Sequence, residues 1–275
     1  MNTTVKRTIF GVLFLAIMLG GLLFHPIAYS VLFLFMTVVM MWEFYRMSMG
    51  NNYKTAQYIA IALGACLFLT VLGIVGYGLP HQLIGVNILL LLALMIATIL
   101  EKDKTEFKLN SFLYTGILYI AAPLAMTNFV VFREGTFKGI LMVAFFCIIW
   151  ASDVGAYCFG MLFGQKGGKK LFPSISPKKS WAGFWGGLFL ALVTSVILWW
   201  VDMFPFPIWH CLMLAVIMNV LGVFGDLFES QWKRTFGYKD SGTIIPGHGG
   251  LLDRFDSAIF AIPAGFIYLA INGLV

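Results

Sequence analysis

The residues of this sequence with the types and spacing to do chemistry are carboxylates at the ends of apolar runs. Asp226 and Glu229 close one run as GDLFES, and Asp253 and Asp256 open the next as LLDRFDS. Within each pair the spacing is i, i+3, which puts both carboxylates on one face of a helix. Four acids at neighbouring helix ends repel one another unless a cation lies between them. Hard oxygen donors suit Mg²⁺, which usually keeps waters and adds phosphate oxygens to one or two carboxylates. Asp226, Asp253 and Asp256 are therefore the candidate metal ligands. Capping of a helix start is the simpler role for Asp253 taken alone. It accounts neither for Arg254 nor for the acids that close the preceding run.

Cationic and flexible residues surround these acids. Gly247, Gly249 and Gly250 let backbone approach a ligand closely, and a helix N-terminus favours anions. Lys239, His248 and Arg254 stand beside them as candidate phosphate contacts. Alone, G-x-G-G describes an ordinary turn before a helix. The stretch SPKKS supplies Ser176, Lys178 and Lys179 as a second phosphate-binding element, whereas Lys166, Lys169 and Lys170 read as topology-fixing charges. Asp153 lies inside an apolar run, where an ionisable group usually faces a polar cavity. No zinc, Walker A or nucleophile-elbow pattern occurs. Metal-holding acids with cations for several phosphates suit phosphoryl or nucleotidyl transfer onto a lipid-borne substrate, chemistry that depends on charge neutralisation and in-line positioning.

The elements that must position these groups are membrane helices. Only 11% of the 275 residues are charged and 60% are hydrophobic, against roughly 25% charged in a soluble domain. A helix crosses the hydrocarbon core with about 20 apolar residues and satisfies its own backbone there. Nine such runs fall near 8–24, 26–45, 57–78, 83–100, 111–132, 139–163, 184–201, 207–228 and 254–274. The fold class expected is all-α, a polytopic integral membrane protein of about nine transmembrane helices. The first run lacks a small-x-small cleavage site and is expected to be a retained helix; the His25-Pro26 break is compatible with either a turn or a kink. With nine spans, all of the 18 Lys and Arg except Arg133 and Lys138 fall on one side. Positive residues stay inside, which predicts a cytoplasmic N-terminus and an inner (plasma) membrane location.

Residues 1–138 read as membrane scaffold and 139–275 as the catalytic region, with cytoplasmic loops at 164–183 and 230–251. The acids that close the eighth span and open the ninth then converge on the cytoplasmic face. Glu43, three residues before Arg46, is expected to form an interfacial ion pair. The four cysteines are spaced for neither metal nor disulfide and read as packing residues.

The run S-x-x-K-R-x4-K-D-x-G-x2-I-P-x-H-G-G-L-x-D-R-F-D from Ser230 to Asp256 resembles the signature of the phosphatidate cytidylyltransferases (CDP-diacylglycerol synthases). ASDVGAY around Asp153, SPKKS and GDLFES around Asp226 are similar to further blocks of that family. The resemblance covers roughly 150–257. It departs at Trp232, where an aliphatic residue, Met or Phe is usual, and at Ala182, where the family's S-P-K-K-T-x-E-G block usually has Glu. The resemblance implies a reaction in which CTP and phosphatidic acid give CDP-diacylglycerol and pyrophosphate with Mg²⁺, and it leaves room for a second cation. It implies metal binding by Asp226, Asp253 and Asp256, and phosphate contacts from Lys239, His248 and Arg254. Ser176, Lys178 and Lys179 would form the nucleotide or lipid-phosphate site, beside Gly249 and Gly250, with Asp153 lining the cavity. It also implies membrane lipids as surroundings, a homodimer and no nucleic-acid partner. A CTP-dependent polyprenol kinase and a cation transporter are the rival readings; spans one to five carry few of the polar residues a transport pathway needs.

Overall fold

The computed structural model describes residues 3–101, 107–133, 135–165, 168–244 and 249–275. The chain is an all-α polytopic membrane protein. Among the described residues eight helices are long and apolar enough to cross a membrane. The first helix, α1 (Thr3–Leu23), adds a shorter apolar stretch, Thr8–Leu23. The chain forms two compact units: Met1–Lys138 with Phe236–Arg254, and Gly139–Thr235 with Phe255–Val275.

In the first unit the His25-Pro26 break is a true turn between two helices. His25 is extended and accepts from Ile27 N through Nδ1, and Pro26 takes the first position of α2 (Pro26–Met49), where its missing N–H costs nothing. The next helices are α3 (Lys54–Tyr77), α4 (Ile84–Leu100), α5 (Asn110–Gly116) and α6 (Ala122–Val131), the last two joined by a π-helical turn at Ile117–Ala121. Lipid offers no partner for a polar group, and several buried ones pair across helices. Tyr29 Oη lies 2.6 Å from Thr127 Oγ1, Asn87 Nδ2 donates to Thr70 Oγ1 at 2.9 Å, and Tyr45 Oη donates to Leu113 O at 2.7 Å. A short ribbon of β1 (Phe132–Arg133) and β2 (Thr136–Phe137) follows α6.

The second unit begins with α7 (Ile140–Phe163). The segment expected as a plain loop contains a hairpin of β3 (Lys170–Phe172) and β4 (Ser176–Ser180), which runs straight into α8 (Trp181–Trp200). Ser180 makes that junction, because its hydroxyl accepts from Gly183 N and caps α8. Helix α9 (Ile208–Thr235) runs past the apolar run that ended near 228. Its last turns are held by the Glu229–Lys233 pair and carry Lys233 and Arg234 where the helix dipole favours cations. Helix α10 (Leu252–Ile271) completes the chain. The four cysteines are all free thiols, Cys211 buried and Cys158 exposed.

Helices α7 and α8 meet along glycines, as membrane helices do when their backbones approach closely. A Cβ on Gly155 would collide with the carbonyl oxygen of Gly186 and lie 3.0 Å from Gly187 Cα. Both neighbours are backbone and cannot rotate away. Gly155→Val is therefore expected to destabilise the second unit by about 3 kcal/mol. A drop in the temperature at which the detergent-solubilised protein loses its monodisperse elution peak checks this; an unchanged melt would mean that the helices part without cost.

Candidate functional site

In the second unit, glycine again decides which acids meet. Gly225 of α9 faces the main-chain oxygen of Asp256, so closely that a Cβ would overlap it, and Gly222 faces Ser257. This approach brings the backbone of α9 next to Asp226 against that of α10 at Asp256. Asp226 and Asp153 are both near enough to act on Asp256 as like charges, and Lys233 acts on it as an opposite one. Asp256 Oδ1 accepts from Ser257 N at 2.7 Å. Two of the expected acids, Asp153 and Asp226, thus lie within electrostatic range of a third, Asp256.

Lys179 answers them. Its Nζ lies 2.7 Å from Asp226 Oδ2, and the two side chains remain 22% and 34% exposed, which leaves the pair open to exchange with an arriving ion. Ser230 Oγ donates to Asp226 Oδ1 at 3.2 Å. Neighbouring side chains on a strand point to opposite faces, so β4 separates its two lysines: Lys179 reaches Asp226 while Lys178 is exposed. Ser176 is half-buried and pairs in register with Phe172. Glu229, which shares a helix face with Asp226 in the sequence pattern, is fully buried and pairs with Lys233.

In the first unit, Asp253 organises the glycine-rich segment. Its Oδ2 accepts from Ser241 N at 2.9 Å, Ser241 Oγ at 3.0 Å and Gly250 N at 2.8 Å. Gly249 has φ +86°, and a Cβ there would lie 2.6 Å from the same Oδ2, so glycine is required by both conformation and space. The acid does more than stabilise a helix dipole: it gathers two backbone donors and one hydroxyl around a single oxygen. Oδ2 of Asp253 is thereby engaged as an acceptor of three hydrogen bonds. Lys239 and Arg254 are exposed in this unit. His248, with 245–247, lies outside the described residues.

One residue of this cluster carries a different role from the one its spacing suggests. Glu43 on α2 is fully buried, and its carboxylate accepts from Leu251 N at 3.1 Å and Leu252 N at 2.8 Å. Arg46 acts on it electrostatically, yet donates its hydrogen bond to Ser241 O at 2.9 Å and stacks over Trp42. The available signal was an acid in an otherwise apolar span; the nearby arginine pointed to the wrong partner.

The hard oxygen donors of these acids are of the kind a divalent cation takes. Among the described residues no three His, Cys, Asp or Glu side chains are grouped to hold a metal ion by themselves. Mg²⁺ needs no such cage, since one or two carboxylates with phosphate oxygens and waters complete its shell. Asp226 and Asp256 offer that pair of hard donors.

A model described as "Cytidylyltransferase family" matches residues 5–272. The phosphatidate cytidylyltransferase of Staphylococcus haemolyticus is 39% identical over 171 residues, covering 62% of this chain and 63% of that protein. The protein of the same name from Staphylococcus aureus (strain COL) is 41% identical over 168 residues, covering 60% of this chain and 61% of the relative. The matched segment thus spans just under two thirds of the relatives' length.

Proposed function

The chain belongs to the cytidylyltransferase family, and from that premise we propose that it is a phosphatidate cytidylyltransferase. The reading is that phosphatidic acid and CTP react to give CDP-diacylglycerol and pyrophosphate at the cytoplasmic face of the cell's inner membrane. The observation that carries it is the pairing of Lys179 with Asp226, partly open to solvent, beside the like charges of Asp153 and Asp256. Such a cluster of fixed acids with an exchangeable cation suits a highly charged anion and its counterion better than it suits a neutral ligand.

In the proposed reaction a phosphate oxygen of phosphatidic acid attacks the α-phosphorus of CTP. The bond from that phosphorus to the bridging oxygen of the β-phosphate breaks, and pyrophosphate leaves with the electron pair. A phosphate monoester is already anionic near neutral pH, so no general base has to generate the nucleophile. The obstacle is repulsion between two anions. Mg²⁺, when bound, would supply the charge neutralisation that the acids recruit; Asp226 and Asp256 are the residues of the second unit assigned to hold it, and the sequence signature assigns Asp253 to metal as well. Lys179 is assigned to phosphate once it leaves Asp226, and Lys178, Ser176, Lys239, His248 and Arg254 are assigned to phosphate contacts. Asp253 fixes the backbone at Ser241 and Gly250 through its Oδ2. Residues 139–275 are assigned the chemistry and 1–138 the scaffold, with a homodimer as the assembly.

The test is transfer from CTP labelled at the α or γ phosphate to phosphatidic acid by the purified protein with Mg²⁺. Label is expected in lipid from the α position alone. Transfer from the γ position would make the protein a lipid kinase, and transfer from neither would remove the proposed activity.

A further inference from the structure

The buried Glu43 has no place in the reaction, and a carboxylate in a membrane helix demands an explanation. Its two oxygens are used as acceptors by a segment far away in sequence. Oε1 takes Leu251 N, while Oε2 takes Leu252 N and Ser241 Oγ, the last at 3.4 Å. The segment is shaped to receive it. A Cβ on Gly242 would collide with Glu43 Oε1, and one on Gly250 would lie 2.6 Å from that atom and 2.6 Å from Gly242 N. Ser241, which also donates twice to Asp253 Oδ2, is shared between the two carboxylates.

We propose that Glu43 is a positioning residue, a fixed acceptor on α2 that locks the two ends of the glycine-rich segment together and thereby holds Asp253 in place. The geometry requires a carboxylate and no other side chain. Both oxygens face N–H donors, so a glutamine of the same shape would turn an NH₂ group toward Leu251 N–H or Leu252 N–H. An unsatisfied buried donor is the expensive outcome. Arg46 secures the same segment from the carbonyl side through Ser241 O. Helix α2 thus acts on Asp253 without itself touching a substrate. Only the activity arm of the test rests on the function proposed above.

The experiment is hydrogen–deuterium exchange on the purified full chain in detergent, with Glu43→Gln, Gly242→Ala and the double variant. Glu43→Gln is expected to lower amide protection at Leu251 and Leu252 by about tenfold while α3 and α7 keep theirs. Gly242→Ala displaces the carboxylate from the other side and is expected to reproduce that pattern, so it carries the test where Glu43→Gln fails to fold. In turnover, kcat is expected to fall about tenfold or more with KM for CTP within threefold, and the double variant to be no worse than Glu43→Gln. Unchanged protection at Leu251 and Leu252, or a loss spread evenly over every helix, would overturn the positioning role. Multiplied kinetic losses in the double variant would do the same. Local loss of protection in a protein without cytidylyl transfer would leave Glu43's role standing and remove the proposed function.

Discussion

Asp226→Asn is expected to lower kcat about 10³-fold, roughly 4 kcal/mol of transition-state stabilisation, while the protein stays folded and extractable. The two effects separate because Asp226 is poorly placed to matter for stability. It pairs with Lys179 at a site where both side chains keep access to solvent, and exposed ion pairs contribute only about 0.2–1 kcal/mol. Without the carboxylate, Lys179 is rehydrated. The melting temperature should therefore shift by no more than about 3 °C. The chemistry has no such substitute, since the amide nitrogen cannot bind a cation and the fixed negative charge beside Asp256 is gone. Lys179→Gln should behave in the opposite sense toward substrate, raising KM for CTP because it removes a cation from a cluster that Asp153, Asp226 and Asp256 already make negative. α-Labelled CTP in steady state, with a parallel melt, checks both variants. Asp226→Asn within tenfold of the unsubstituted protein would take Asp226 out of the reaction.

The membrane architecture was legible in the sequence because lipid imposes it. A span must be long and apolar whatever surrounds it, so the helices from α2 onward stand near the predicted runs. The charged stretches stand out for the opposite reason: charge is so scarce here that its clustering is conspicuous. What escaped was anything decided by pairing between distant segments. SPKKS reads as loop, and only its partner Lys170–Phe172 makes it a strand and so divides Lys178 from Lys179. Asp226 comes within electrostatic range of Asp256 where the bare surface of Gly225 meets the α10 backbone, a residue whose spacing predicts nothing until α10 is packed against it. Glu43 and Leu251 are 208 positions apart, and no local rule could have preferred that backbone amide over an arginine one turn away. The end of α9 was missed because its last turns are charged, although an i, i+4 Glu229–Lys233 pair is itself a helix signal.

Asp253→Asn and Asp253→Ala are both expected to abolish most turnover, and for different reasons that exchange measurements can tell apart. The asparagine keeps one carbonyl oxygen, enough to receive Ser241 N, Ser241 Oγ and Gly250 N where Oδ2 does now. It replaces Oδ1 by an NH₂ group, which cannot hold a cation. Protection of Ser241 and Gly250 amides should therefore stay within about threefold, while kcat falls on the order of 10²–10³-fold. The alanine leaves Ser241 N and Gly250 N without that acceptor, at about 1–3 kcal/mol each, and Ser241 Oγ with only Glu43 Oε2 at 3.4 Å, in a segment where Gly249 is held at φ +86° against the same oxygen. Its amides should exchange at least about tenfold faster, with turnover lost through the segment's geometry. Near-normal turnover in Asp253→Asn would confine Asp253 to holding the segment, since only its charge and one oxygen are missing there. Equal exchange in the two variants would instead mean that the three hydrogen bonds to Oδ2 do not hold the segment, and that charge alone accounts for the acid at this position.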